Sequence, residues 1–384
     1  MSILMTLNAG SSSIKFAVYP VNGDHPIAHG QLEKIGSDDA QLTLHGGNHS
    51  ETRSEGSLDH TTGLRRILSA LDGLTQGAAI AAVGHRIVHG GPDIDAPKIL
   101  DSALLDKLAE YAPLAPLHQP HNLAAVHAAI AAFPEALQVG CFDTAFHRHH
   151  PWVNDTFALP RSYYDQGVRR YGFHGLSYDY IIHRLAQIDS HAAHGKTVVA
   201  HLGNGASMCA IRDGRSIGST MGFSALDGLP MGTRSGQIDP GVLLYLMESH
   251  GMDAADLTDL LYKKSGLLGL SGLSNDMRTL ETAGTDEAEQ AIAYFTFRIR
   301  RELGAMAAIL GGLDSLVFCG GIGEHSARIR AEVCTGMEWL GIALDAAANE
   351  AAADIISNGT TTVRVIPTDE EAIIAKAVRG FLAV

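Results

Sequence analysis

Three short glycine-rich turns are the first features of this sequence that could bind a ligand. They centre on Gly10, on Gly203 with Gly205, and on the run Gly320-Gly-Ile-Gly-Glu324, and each follows an apolar stretch. Because such turns carry no bulky side chain, their backbone N–H groups can close on an anion. One turn of this kind is common. Three of them at the ends of predicted strands suggest one nucleotide that is bound by backbone groups from both halves of the chain.

The first turn connects two predicted strands within residues 3–16. It is therefore not the GxxxxGK[ST] phosphate loop, which leads into a helix. Lys15 could add a positive charge beside a bound phosphate, and Asn8 could offer an oxygen to a hydrated Mg²⁺. An ordinary polar hairpin remains the alternative interpretation, since serine-rich turns are frequent.

Two arginines stand among glycines, Arg86 in Gly84-His-Arg86 and Arg234 in Met231-Gly-Thr-Arg-Ser-Gly236. An arginine beside glycine can approach a carboxylate or a phosphate as a bidentate fork. Taken singly, either one is better explained as a surface arginine paired with an acidic side chain.

Several histidines and acids complete the set of residues that could do chemistry. His118, His174 and His201 lie in segments dense in Gly, Pro or aromatic residues, where binding sites concentrate. Asp143 follows a predicted strand, and carboxylates at strand ends of α/β proteins often face a ligand. Glu370 stands at a predicted helix start, where favourable interaction with the helix dipole is the simpler explanation.

Composition limits the classes of function. The formal net charge of −14 argues against nonspecific nucleic-acid binding, and any anionic substrate needs a local group of cations. Neither a signal peptide nor an apolar run of about 20 residues is apparent, so no membrane partner is predicted. The four cysteines form no CxxC pair, which favours buried thiols in a reducing cytoplasm.

The elements that must position these residues recur along the chain. An apolar strand, a small-residue turn, a second strand and a two-residue turn occur near residues 3–23 and again near residues 197–214. Strands alternating with helices in two copies predict α/β layers, with ligands in a cleft between the two halves. Helices are predicted at residues 59–71, 101–111 and 286–311 and from 122, 239 and 369, and buried strands at 80–88, 137–142, 315–319 and 362–366.

Seven motifs are distributed over essentially the whole chain: Asn8-Ala-Gly-Ser-Ser-Ser-Ile-Lys15, Gly84-His-Arg-Ile-Val-His-Gly-Gly91, Cys141-Phe-Asp-Thr-Ala-Phe-His147, Tyr171-Gly-Phe-His-Gly175, His201-Leu-Gly-Asn-Gly205, Met231-Gly-Thr-Arg-Ser-Gly236 and Gly320-Gly-Ile-Gly-Glu324. Together, and in this order, they closely resemble the acetokinase (acetate kinase) family. The resemblance implies two duplicated ribonuclease-H-like domains of the actin-like ATPase type. They would comprise residues 1–144 plus 369–384, and residues 145–368, the second carrying most nucleotide contacts.

By this resemblance the activity is the reversible, Mg²⁺- and ATP-dependent phosphorylation of acetate to acetyl phosphate and ADP, by a cytoplasmic homodimer. Mn²⁺ could replace Mg²⁺. Asn8 and Glu370 would support the metal, and Lys15 would lie near the ATP phosphates. Arg86 and Arg234 would grip the carboxylate and the transferring phosphoryl group. Direct in-line transfer is favoured over a phosphoenzyme.

Further roles follow from the same resemblance. His174 would stabilise the transition state, with His118 nearby, and Val88, Leu117 and Phe173 match the small apolar pocket for the acetate methyl group. Asp143 matches the family's acid/base residue. Acetate is already ionised at neutral pH, so Asp143 is expected instead to orient Arg86 or Arg234, or the water shell of the metal. The nucleotide would contact His201, Leu202, Gly203, Asn204, Gly205, Asp276, Met277, Arg278, Gly321, Ile322, Gly323, Glu324 and His325.

Four positions depart from the family pattern: Gln119 and His325 replace the usual Asn, Leu176 replaces Thr, and Ala225 replaces a common Pro. The last could widen the pocket, so a propionate or other short-chain carboxylate kinase is the alternative within the family. A chaperone-like or actin-like ATP-binding module is a third possibility. Such a module does not need Arg86, His174 and Arg234 together, and their joint presence argues against it.

Overall fold

The computed structural model describes residues 2–382 apart from residues 11, 48, 76 and 117. Contacts within the chain divide it into two compact units, Met1–Arg148 with Asp369–Val384, and His149–Thr368. Each unit has its own sheet, flanking helices and core, and we call them the first and the second unit.

An eight-stranded sheet forms the first unit, with helices on its faces. The strands run in the order β5-β4-β3-β2-β1-β6-β8-β7, and β1 is antiparallel to β2 but parallel to β6, as β6 is to β8. The elements are β1 (Ser2–Ala9), β2 (Ser13–Pro20), β3 (Ala28–Glu33), β4 (Ala40–Gly46), β5 (His49–Gly56), β6 (Ala79–Ile87), β7 (Lys98–Ile99), β8 (Leu137–Phe142), α1 (His60–Thr75), α2 (Ser102–Glu110), α3 (Gln119–Ala132) and α16 (Glu370–Leu382).

Alternation along β1 decides which helix covers which face of this sheet. Ile3, Met5 and Leu7 join the buried cluster formed with α1 and α3. The intervening residue Thr6 pairs with Gly84, and a Cβ at Gly84 would lie 2.4 Å from Ile374 Cγ2 of α16. Because neighbouring residues of a strand face opposite sides, α16 covers the other face. Glycine at position 84 is what permits this close approach.

The second unit repeats part of this topology with a five-stranded sheet in the order β11-β10-β9-β12-β13. Its elements are β9 (Lys196–Leu202), β10 (Ala206–Arg212), β11 (Arg215–Ser219), β12 (Ser315–Cys319), β13 (Thr362–Val365), α4 (Trp152–Asp155), α5 (Arg161–Asp165), α6 (Gly175–Ile188), α7 (Ser190–His194), α8 (Pro240–His250), α9 (Ala254–Lys263), α10 (Gly266–Ser271), α11 (Met277–Ala283), α12 (Asp286–Leu310), α13 (Gly320–His325), α14 (Ala327–Cys334) and α15 (Ala346–Glu350). In both units the first strand is antiparallel to the second and parallel to the next strand inward. The predicted duplicated α/β fold is confirmed.

Local sequence signals predict the bounds of most helices and strands to within a few residues. Asp101 and Asp369 cap α2 and α16 by accepting from backbone N–H groups at 2.8 and 2.9 Å, as their positions before apolar periodic runs predict. Residues 24–56, whose weak alternation predicts short strands and loops, form strands β3 to β5, of which β5 is at the sheet edge. One segment differs from expectation. The glycine-rich run from Gly320 is the first turn of α13, not a loop, with Gly320 at φ +74°.

All four cysteines are buried thiols, as predicted. Over the described residues, none of the helices combines the length and the apolar character needed to cross a bilayer.

Candidate active site

Four predicted site residues meet at one edge of the first unit's sheet. Asn8 lies near the end of β1, Arg86 near the end of β6, Asp143 directly after β8, and Glu370 at the start of α16. The three strands are parallel, so their carboxyl ends share one edge, where ligands of α/β sheets usually bind. We call these four residues the strand-end cluster.

Hydrogen bonds connect every member of the strand-end cluster. Arg86 donates from Nε and Nη2 to the two carboxylate oxygens of Asp143, at 3.0 and 2.7 Å. Its Nη1 donates to Asn8 Oδ1 at 3.1 Å, and Asn8 Nδ2 donates to Glu370 Oε2 at 3.2 Å. Of the three partners that the sequence left open for Asp143, the structure shows a bidentate contact with Arg86.

Burial and charge act against each other in this cluster. Burial holds the pKa of Asp143 above its ordinary value, and Arg86 opposes that shift. For Arg86, burial disfavours the charged form, but the carboxylates of Asp143 and Glu370 outweigh it and hold its pKa above the ordinary value. Burial, and then the neighbouring Glu370, raise the pKa of Glu371. One guanidinium thus faces several carboxyl groups, which leaves the edge attractive to a further cation.

The cluster's oxygen atoms fit a magnesium ion that arrives with a nucleotide. Mg²⁺ prefers oxygen ligands and usually keeps several waters, taking one or two carboxylates plus substrate phosphates. Asn8 and Glu370 supply an amide oxygen and a carboxylate of this kind. Among the described residues no three His, Cys, Asp or Glu side chains are grouped so that they could hold a metal by themselves.

The other predicted residues of the first unit lie on or beside the elements that carry the cluster. Val88 is buried just beyond β6, and His118 directly precedes α3. Lys15 pairs with Asn8 across β1 and β2 and is exposed. Leu117 lies outside the described residues. His60, which sequence reasoning missed, donates from Nε2 to the carbonyl of Gly10 at 2.8 Å and so holds the first glycine-rich turn; nothing in the sequence around it signals this contact.

Two stacked imidazoles mark the corresponding region of the second unit. The rings of His174 and His201 lie 4.4 Å apart between centroids with 26° between their planes. His174 has φ +57°, and its Nδ1 is hydrogen-bonded to Ser207 Oγ at 2.8 Å. His201 Nδ1 is hydrogen-bonded to Ser177 Oγ at 2.9 Å. Both rings are therefore oriented through Nδ1 by a serine, and the two serines could not have been identified from spacing alone.

The glycine-rich segments of the second unit converge on these rings. A Cβ at Gly205 would lie 3.2 Å from His174 Nε2 and 3.9 Å from Arg234 Nη1, and one at Gly203 would lie 3.9 Å from the backbone nitrogen of Gly321. Arg234 donates to the carbonyl of Ala225 at 3.1 Å. The turn between β9 and β10, the start of α13 and Arg234 thus form one group around His174, as the sequence motifs imply.

Some predicted nucleotide contacts have a structural partner of their own. The Asp276 carboxylate caps α11 and pairs with Arg278, whose hydrogen bond lowers the pKa of Asp276. Glu324 accepts from the N–H groups of Gly320 and Thr368 at 2.8 and 3.2 Å, which fixes the start of α13. Phe173 and Met277 are buried, Leu202 lies in the core at the end of β9, and His325 is exposed.

Comparison with known proteins identifies the family of this chain. The acetokinase family profile matches residues 3–376. The acetate kinase of Methylocella silvestris is 56% identical over 97% of this chain and 96% of its own length, and that of Rhizobium meliloti is 48% identical over 98% and 97%. The crystal structure of Porphyromonas gingivalis acetate kinase aligns with a TM-score of 0.90 at 40% identity over 100% of both chains. A propionate kinase from Francisella tularensis aligns with a TM-score of 0.93 at 34% identity over 98% and 99%.

Proposed function

The chain belongs to the acetokinase family, and from this premise we propose that it transfers the γ-phosphoryl group of ATP to acetate, forming acetyl phosphate and ADP, and also catalyses the reverse reaction. It is a phosphotransferase whose acceptor is a carboxyl group. The observation that carries the proposal is the Arg86 guanidinium, held by Asp143 and Asn8 at the strand-end cluster. A guanidinium fixed in this way can take a carboxylate in a defined orientation.

The chemistry requires positioning and charge stabilisation more than proton transfer. Acetate is ionised at neutral pH, and its attack brings two anions together, so the charge of the transferring phosphoryl group must be offset. In this proposal Arg86 binds the acceptor carboxylate, Arg234 binds the phosphoryl group, and His174 donates to it in the transition state. Asp143 acts by orienting Arg86, because its oxygens already accept from that side chain.

Transfer is direct and in line, without a phosphoenzyme. Asn8 and Glu370 would hold Mg²⁺, which neutralises phosphate charge when it is bound, and Lys15 adds a further cation. The turn from His201 to Gly205 and the residues of α13 bind the nucleotide through their backbone. The supply of ATP and the four buried thiols favour the cytoplasm as the compartment.

The function is tested by an ATP- and Mg²⁺-dependent hydroxamate assay with formate, acetate, propionate and butyrate. We expect product from acetate with the highest kcat/KM, no product without the metal, and ADP formed in equal amount. Absence of acetyl hydroxamate under conditions where a known acetate kinase is active would reject the proposal.

Glu370→Gln and Asn8→Ala are expected to raise the Mg²⁺ concentration needed for half-maximal rate more than they raise the KM for acetate, because each removes or weakens an oxygen ligand. The measurement is a Mg²⁺ titration at saturating ATP and acetate. Glu55→Gln is the matched control, since Glu55 is also a paired carboxylate of the first unit but binds Arg53. An unchanged Mg²⁺ titration in both variants would mean that Glu370 only stabilises the start of its helix.

Propionate is the second substrate to consider. Ala225, whose carbonyl accepts from Arg234, leaves more room than the proline common in the family, and a propionate kinase shares the fold. A pocket that differs by one methylene discriminates by only about 1–3 kcal/mol, so acetate and propionate should both react.

Val88→Ala is expected to move the ratio of kcat/KM for propionate over acetate upward, several-fold, since it enlarges the pocket without changing Arg86. The measurement is kcat/KM for both acids on each protein. Val83→Ala is the control, because Val83 is a buried valine within β6 that packs in the core, whereas Val88 lies just beyond the end of that strand. A ratio that stays constant in Val88→Ala would mean that Val88 does not line the pocket.

Homodimer formation is also part of the proposal. Helix α8 carries apolar residues on all sides, yet none of its residues is buried within the chain, and Leu244 and Tyr245 are 60% and 57% exposed. A helix that is apolar all round is normally covered, and a second copy of the chain could cover this one.

Leu244→Glu is expected to shift the protein from dimer to monomer in light scattering coupled to size-exclusion chromatography, because it buries a charge in the proposed contact. Val153→Glu, at an exposed valine of α4, is the control and should leave the dimer intact. A dimer that persists in Leu244→Glu would exclude α8 as the contact.

A further inference from the structure

Two buried amide side chains of α3 hold the backbone segment that leaves β6. Asn122 accepts from the Val88 N–H at 2.9 Å, and Gln119 accepts from the His89 N–H at 3.2 Å. Gln119 also donates to the carbonyls of His89 and Leu108, at 3.0 and 3.1 Å. The side chains of Gln119 and Asn122 are 0% and 3% exposed, so water is not available to replace these bonds.

The segment depends on side chains because its sheet pairing has ended. Ile87 is the last residue of β6 that pairs with β8. Beyond it, the N–H groups of Val88, His89, Gly90 and Gly91 all donate to side chains, the last two to Thr144 Oγ1 at 3.0 Å and His89 Nδ1 at 2.9 Å. Buried backbone N–H groups must be paired, and here no ladder can pair them.

Asn122 also reaches the other strand of the cluster. Its Nδ2 donates to the carbonyl of Ala9 at 2.6 Å while its Oδ1 accepts from the Val88 N–H. The ladder between β1 and β6 ends with the pair Leu7 and His85, one residue before Asn8 and Arg86. A single amide group therefore connects the ends of the two strands, one residue past Asn8 and two residues past Arg86.

We propose that Asn122 is a positioning residue for the acceptor side of the reaction, which sets the separation of the Asn8 and Arg86 backbones; this inference rests on the function proposed above. Among neutral side chains of this length, only the asparagine amide offers a donor and an acceptor side by side. It can therefore bond the Val88 N–H and the Ala9 carbonyl at once. Replacement by an acid keeps the acceptor for Val88 but puts a second oxygen against the Ala9 carbonyl, which costs the lost bond and the desolvation of both atoms.

The test compares Asn122→Asp with wild type in steady-state kinetics at several pH values. We expect kcat/KM for acetate to fall about tenfold to a hundredfold, the range that a misplacement near 1 Å can produce, with the KM for ATP changed less than about twofold. The ratio of variant to wild-type activity should rise as the pH falls, because the introduced carboxyl group, when protonated, can again donate to Ala9. Asn154→Asp is the matched control, since Asn154 donates to the Ile217 carbonyl of the second unit at 2.6 Å; it should retain wild-type kinetics.

A lower melting temperature in Asn122→Asp with unchanged kcat/KM, or an equal rise in both KM values, would overturn the inference. So would an activity ratio that does not respond to pH. If this variant fails to fold, Asn122→Ser replaces it, because its hydroxyl can bond one of the two groups. We expect its KM for acetate to change more than its KM for ATP, and equal changes would reject the proposal. If the proposed function itself is wrong, the wild-type protein will not phosphorylate acetate, which separates that failure from a failure of the inference about Asn122.

Discussion

Arg86→Ala is expected to lower kcat about a thousandfold or more, because the acceptor carboxylate loses the cation that positions it for phosphoryl transfer. The guanidinium is the only cation among the four residues of the strand-end cluster, and Asp143 and Asn8 hold it in place. The measurement is kcat by the hydroxamate assay, with circular dichroism to verify folding. Arg53→Ala, which removes a half-exposed arginine paired with Glu55, is the control. Near-normal kcat in a folded Arg86→Ala variant would refute the assignment.

The same variant should change the pH dependence of stability. Burial already raises the pKa of Asp143, and Arg86 is the group that opposes this shift. Without Arg86 the folded protein retains a proton on Asp143 that the unfolded chain loses, so stability is greatest at low pH and falls as the pH rises through the raised pKa. Urea unfolding at pH 5 and pH 8 should show this loss in Arg86→Ala relative to wild type, and equal differences at both pH values would mean that Asp143 stays ionised.

Arg234→Ala is expected to reduce kcat by a similar factor while changing the KM for acetate less than Arg86→Ala does. Arg234 lies beside His174 and Gly205 and donates to the Ala225 carbonyl, so its proposed partner is the phosphoryl group, whose charge spreads in the transition state.

Free guanidinium added to the Arg234→Ala assay should restore part of kcat, because it can enter the space left by the side chain. Arg215→Ala, at an exposed residue of β11, is the control and should lose no activity. If Arg234→Ala raises only the KM for acetate and leaves kcat unchanged, Arg234 binds the acceptor carboxylate and not the phosphoryl group.

The sequence predicts the elements whose signals are local. Alternating or continuous apolar runs identify β1, β8 and β12, the 3.6-residue period identifies α12 to within one residue, and aspartates mark the starts of α2, α8 and α16. Strands β3 to β5 are predicted only as short strands and loops within residues 24–56, without exact bounds, because polar and glycine-rich strands carry little alternation. Gly320 begins a helix because the Glu324 side chain accepts its N–H, a contact that composition alone does not signal.

The site is predictable in its residues and not in its connections. Motifs identify Arg86 and Asp143 separately, but their bidentate contact joins residues that are distant in the chain, and sequence reasoning left Arg86, Arg234 and the metal's waters open as partners of Asp143. Gln119 is recognisable only as a departure from the family pattern. Its three hydrogen bonds show why a longer amide is accommodated there.

The placement of α16 has a consequence for how the protein is made. This helix covers the face of β1 and β6 that contains Gly84 and brings Glu370 to the strand-end cluster, yet the ribosome reaches it only after residues 149–368 have been translated. At about 5–20 residues per second, the nascent first unit waits on the order of ten seconds or more with that face uncovered. During this time the uncovered face is open to non-native association, and a chain interrupted before residue 370 lacks both a proposed metal ligand and the helix that covers this face.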